Sequence, residues 1–252
     1  MNLIKKIFKT IIVIVALTIA GLLIAVGVKD RVMEIVLLLL SILVVGIANI
    51  FIDICYSSTS KIISDLPISG SKLARYILDR HNLTNVRIEK ISGKLTDHYD
   101  SKNKVVRLSS DIHDRNAIAS IAVAAHECGH AIQDAEGNIL LKFRNLIAPC
   151  INFITHIGYI VIIIGLSGSI NKITMMGIII LLATLVFQLI TLPIEFDASK
   201  KALKELEELN IPEDIKGCKL MLMGAAFTYV AAILSTILNI LRLVYRVTNK
   251  VR

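Results

Sequence analysis

Five stretches of this chain contain no Asp, Glu, Lys or Arg over about the length of a bilayer core. They are residues 10–28, 35–52, 146–171, 173–194 and 220–241. An α-helix rises about 1.5 Å per residue, so about 20 residues cross a hydrocarbon layer about 30 Å thick. In lipid every backbone N–H and C=O must be paired internally, which restricts such blocks to helices. The apolar share of the chain, 55%, exceeds the roughly 45–50% of soluble domains, and the excess sits in these blocks. The spacing therefore predicts up to five transmembrane helices. The first block follows Lys5, Lys6 and Lys9 as a signal peptide would. It is long for an h-region, lacks an A-x-A site and is soon followed by a second block, so we read it as a retained anchor.

The net charge of +8 does not point to nucleic acid. The cations flank apolar blocks (Lys5, Lys6, Lys9; Lys142, Arg144; Arg242, Arg246, Lys250, Arg252), where they serve as topology signals and contacts to anionic head groups. Cys55, Cys128, Cys150 and Cys218 form no CxxC pair, and a disulfide framework is not expected.

The blocks divide the chain into residues 1–55 (two spans), 56–145 (polar), 146–194 (two spans), 195–216 (a polar helix) and 217–252 (an apolar helix and basic tail). With the N-terminal lysines in the cytoplasm, the polar parts 56–145 and 195–219 both fall on the cytoplasmic side. If 220–241 also crosses, the basic tail ends outside, against the positive-inside tendency. Within the polar part, residues 70–82 have helical spacing with Leu73, Ile77 and Leu78 on one face. VRIEKI, KLTDHYD and KVVRLS read as strands, separated by Ser92-Gly93 and by residues 100–103, in a small antiparallel meander. KVVRLS is a candidate edge strand for holding an extended peptide. A helix capped by Asp111 or Asp114 follows, running to about residue 135 with Gly137 near its end.

That helix contains AAHECGHAIQ. His126 and His130, four residues apart, share one helix face and can bind one ion through ring nitrogens. Glu127 can reach a water on that ion. This is the HExxH arrangement of zinc peptidases, with Glu127 as general base and then acid. A catalytic zinc takes a third protein ligand. Gln133 and Glu136 stand where the metzincin pattern requires Gly and His, which excludes that class. A glutamate on a second helix is available in IEFDAS as Glu195. Ser199, one turn on, can orient His126 or His130 from behind, and Asp197 is a second candidate for that role. His98 and Tyr99 can face the cleft, and with Tyr229 they are candidates for stabilising the oxyanion. His81, His113 and His156 have weaker claims, His156 as a hydrogen bond between helices. Manganese or cobalt is compatible with the same ligands.

SGSKLARYILDRHNLTNVRIEKISGKLTDHYDSKNKVVRLS, AAHECGHAIQDAEG, LPIEFDASKKAL and GAAFTYVAAIL, in this order, resemble the YugP-like family of membrane zinc metallopeptidases. The resemblance covers about residues 57–144, 192–204 and 217–245. It implies a mainly α membrane protein with a zincin-like α+β catalytic domain of the gluzincin type. His126, His130 and Glu195 would be the zinc ligands and Glu127 the acid–base. The family's turn proline is replaced by Ser101 within Asp97–Lys102, which predicts a looser turn. Related membrane peptidases place an aspartate where this chain has Ser199. The expected activity is endopeptidase cleavage of peptides or membrane proteins at the bilayer. An intramembrane protease of the site-2 kind would need an Asp-Gly ligand motif, which the chain lacks. A non-catalytic scaffold with a structural zinc is the third reading.

Overall fold

The computed structural model describes residues 30–209 and 211–249. The block 10–28 and residues 250–252 of the basic tail lie outside the described residues. The helices and strands are, in order, α1 (Asp30–Thr59), α2 (Gly70–Arg80), β1 (Arg87–Ile91), β2 (His98–Asp100), β3 (Val105–Ser109), α3 (Ser110–Asp114), α4 (Ile118–Ala135), α5 (Ile139–Ser167), α6 (Asn171–Glu208) and α7 (Pro212–Asn249). Four of these helices, α1, α5, α6 and α7, are long and apolar enough to cross a membrane. Block 220–241 therefore lies in a helix of spanning length, and the mainly α membrane architecture holds.

The described chain forms two compact units. The first comprises residues 30–49, 149–188 and 230–249. Its core is apolar, with Ile162, Ile178, Leu181, Ile240 and Leu243 buried together. Glycines let α5 and α6 approach closely. A methyl group on Gly177 would sit 2.4 Å from the Ile162 side chain, and one on Gly158 2.6 Å from Ile180. Small residues at helix contacts serve this purpose where both helices face lipid. Outward-facing Leu39, Ile42, Phe153, Ile163 and Ile179 are exposed, which suits a hydrocarbon environment.

The second unit comprises Ile50–Ala148 and Leu189–Tyr229. Here α2 buries Leu73, Ile77 and Leu78, the face its spacing predicts. The three strands form one sheet in the order β1-β3-β2. β2 pairs antiparallel with β3, but β1 pairs parallel with it, so the sheet is mixed and not an antiparallel meander. KVVRLS is accordingly the central strand, not an edge. The physical reason is in its residues: Val105, Val106, Leu108 and Ser109 are all buried, and a strand covered on both faces lacks the alternation of an exposed edge. The β1–β2 connection turns at Gly93 (φ +109°) and is too long for a two-residue hairpin. The β2–β3 turn is held without proline. Asp100 Oδ1 accepts the N–H groups of Lys102 and Asn103, each at 3.1 Å. The Asn103 amide and the Arg107 guanidinium keep its carboxyl well below the usual range.

The HExxH helix starts later than the sequence predicts. The chain breaks between α3 and α4, where Ala117 pairs with Ile63 in a β-bridge. The Ile118 N–H is taken by the Ile62 carbonyl at 3.0 Å, and no side chain caps α4. Asp114 instead binds Lys90 and His113. Gly137 (φ +77°) follows the last turn, as expected. The predicted polar helix after Ile194 is the continuation of α6, one helix that runs through Pro193.

Candidate metal centre

The alanine-rich α4 is buried along most of its length because small side chains allow its backbone to approach its neighbours. The closest approach is at Gly129, where a methyl group would lie 2.5 Å from the carbonyl oxygen of Ala198 on α6. This contact brings the next turn of α4 and the Glu195 turn of α6 together. His126 and His130 follow from their spacing on one face, and their rings meet edge to face with centroids 4.9 Å apart. Glu195 Oε2 lies 3.3 Å from His126 Nε2 and 3.5 Å from His130 Nε2. One donor atom from each of the three residues falls within 4.8 Å of the others. Two imidazole nitrogens and a carboxylate oxygen form a donor set that suits zinc.

The remaining polar atom of each residue is held from behind. His130 Nδ1 lies 2.9 Å from Gln133 Oε1, while Gln133 Nε2 donates to the Ile194 carbonyl at 2.9 Å and to Asp197 Oδ2 at 2.7 Å. Since the amide nitrogen is spent on two acceptors, Oε1 accepts, and His130 carries its proton on Nδ1. Its Nε2 is left as a lone-pair donor. Ser199 Oγ lies 3.2 Å from His126 Nδ1. Arg144 Nη2 donates to Glu195 Oε1 at 3.2 Å. The two Nε2 atoms and Oε2 thus converge with their partners already in place, and the residues fit a zinc ion.

Glu127 is buried beside the first histidine. Burial pushes its carboxyl up to about 7, against the opposing pull of His126. A carboxyl poised near neutrality is suited to taking and returning a proton at neutral pH.

Ser199 lies behind His126. Asp197 reaches His130 only through Gln133, not directly. His98 is exposed and bonds the Thr96 carbonyl at 2.9 Å, and Tyr99 donates to Asp134 Oδ2 at 2.8 Å. Both are thus hydrogen-bonded outside the three convergent residues. His81 pairs with Glu205 and His113 with Asp114. His156 bonds the Asn152 carbonyl of its own helix, not a neighbouring helix, because that carbonyl lies one turn away and no lipid-exposed alternative competes. Cys55, Cys128, Cys150 and Cys218 are all free. Gln133 and Arg144 are the residues the sequence reading missed as parts of the site. The signal for Gln133 was an amide three residues after His130 in an apolar helix. Arg144 carried none, since a flanking cation looks the same whether it faces lipid head groups or a carboxylate.

Residues 34–248 match a protein family described as "Putative neutral zinc metallopeptidase". The chain is 40% identical over 192 residues to the "Putative membrane protease YugP" of Bacillus subtilis (strain 168), covering 75% of this chain and 85% of that relative. No solved structure matches.

Proposed function

The chain belongs to this zinc metallopeptidase family, and from that premise we propose that it is an integral membrane endopeptidase with Glu127 as general base. The observation that carries the reading is the convergence of His126 Nε2, His130 Nε2 and Glu195 Oε2, each backed by its own partner. In this reading those three side chains hold zinc, which acidifies water and polarises the scissile carbonyl when bound. Glu127 accepts the proton of the attacking water and delivers it to the leaving amine. Ser199, and Asp197 through Gln133, fix the imidazoles, and Arg144 leaves Glu195 one oxygen for the ion.

The substrates are peptides or membrane-protein segments near the bilayer, and the catalytic face is cytoplasmic. Connectivity supports a single face. With α1, α5, α6 and α7 each crossing once, the α1–α5 and α6–α7 connections lie on the same side, and the N-terminal lysines favour the cytoplasm. The HExxH helix α4 is not among the four candidate spans of the described residues, which favours a site at the membrane face over an intramembrane one. The test is cleavage of a water-soluble peptide library by the purified chain and by Glu127→Gln. Cleavage by wild type alone, with equal bound zinc in both, is the expected outcome. Equal cleavage by the variant would sink the reading.

A further inference from the structure

A cleft of about 680 Å³ lies between residues 196–207 of α6 and residues 219–226 of α7. Both walls belong to the second unit, and the volume is that of a small-molecule site. Its chemistry changes along its length. α6 leaves its apolar run at Ile194, so Phe196 is nearest the span. Lys200 and Lys204 lie about 9 and 15 Å beyond Ile194 along the helix, at 1.5 Å per residue. α7 runs the opposite way, with Lys219 first and then Met223 and Ala226 entering its apolar run. One end of the cleft is therefore mainly apolar, with Phe196 49% and Met223 42% exposed beside Asp197, whose carboxylate accepts the Gln133 amide, and the other is net cationic, with four lysines against Glu207. Lys201 is held by Glu136 and Lys219 by Glu207, while Lys200 and Lys204 are exposed.

The cleft is also lined by Ser199, whose hydroxyl meets His126 at Nδ1, the nitrogen turned away from the convergent atoms. Its occupant is thus placed behind the histidine, away from the reacting groups. The separation of charge from apolar surface runs along the helix axes, as it does along a lipid in a bilayer.

We propose that this cleft binds one anionic phospholipid, its phosphate between Lys200 and Lys204 and its acyl chains along Phe196, Met223 and Ala226. The assignment does not depend on peptide hydrolysis. An acidic peptide would need the same segregation of charge and apolar groups by its own sequence, whereas a phospholipid has it by construction and is supplied by the bilayer.

Native mass spectrometry of the full chain in detergent tests it, with phosphatidylglycerol against phosphatidylcholine of the same acyl chains. The wild type is expected to retain one phosphatidylglycerol at concentrations where phosphatidylcholine is not retained. Lys200→Gln and Lys204→Gln should each weaken retention roughly fivefold, the factor expected for one cation at an anionic lipid surface. Lys200→Arg/Lys204→Arg should restore it, and Lys172→Gln, at the other end of α6, should leave it unchanged. Circular dichroism identifies any variant that fails to fold, and the arginine pair then carries the test. Equal retention of the two lipids would overturn the proposal, as would full retention by a folded Lys200→Gln/Lys204→Gln chain. So would displacement of the lipid by millimolar inorganic phosphate or by an acidic peptide, which would assign the lysines to a phosphate or a protein partner.

Discussion

Polar side chains are satisfied in different ways in the two units. In the first, Ser41, His156, Thr174, Thr236 and Asn239 bond to a carbonyl three or four residues back on their own helix. Lipid offers no partner, so the helix itself supplies one. Cross-helix bonds also occur there, between Thr155 and Thr184 at 2.8 Å and between Arg246 and Glu34 at 3.3 Å. In the second unit Thr59 and Thr228 also close on their own helices, but other polar groups reach from element to element: Ser199 to His126, Gln133 to Asp197, Arg144 to Glu195, Ser109 to Asp97. A side chain closed on its own helix serves the scaffold. One held across elements has its orientation fixed, and that is what a ligand or a base requires.

The contrast would collapse at once if Glu195→Ala kept its zinc. The expected outcome is near-complete loss of bound metal in metal analysis of the stripped protein, and of peptidase activity with it, because a two-histidine site lacks the third protein ligand of a catalytic zinc. Glu127→Gln should retain one zinc and lower kcat by about 10²–10⁴-fold, the usual contribution of a positioned acid–base. Next come the groups that hold the ligands. Gln133→Ala and Arg144→Gln should each weaken zinc affinity by about 10–100-fold in competition with a chelator, the first because it removes the amide that joins His130 Nδ1 to Asp197. Tyr99→Phe sharpens the boundary of the site. Its hydroxyl is committed to Asp134, so chemical denaturation should show a loss of about 1 kcal/mol with kcat unchanged; a large fall in kcat would return Tyr99 to the reaction. The smallest effect is expected from the first unit, where Thr155→Val should cost about 0.6 kcal/mol, typical of a hydrogen bond between membrane helices.

The parts of this molecule legible in the sequence are those written in local periodicity. The apolar blocks gave four described helices, His126 and His130 follow from a four-residue spacing, and Leu73, Ile77 and Leu78 mark a buried face. The errors fall where a distant segment decides. The parallel pairing of β1 with β3 is set by a loop that passes over β3, and no strand's own residues reveal its neighbour's direction, although the paired valines of KVVRLS did signal burial on both faces. Asp111 and Asp114 looked like caps, yet the Ile62 carbonyl, more than fifty residues before α4, takes the Ile118 N–H. Gln133 entered the sequence reading only as a residue that excludes one peptidase class, because its partners Ile194 and Asp197 lie about sixty residues further on. Arg144 was hidden for the same reason.

Glu195 lies 69 residues after His126 in the chain, with α5 and most of the apolar run of α6 between them. A ribosome adding about 5–20 residues per second therefore emits the histidines about 3–14 s before the carboxylate that completes their set. The three-residue set is complete only once the chain has been made through the apolar run of α6. A nascent copy stalled before that point holds HECGH but no finished centre. On the proposed reading, the order of synthesis itself thus withholds hydrolytic competence until the Glu195 turn of α6 has been made.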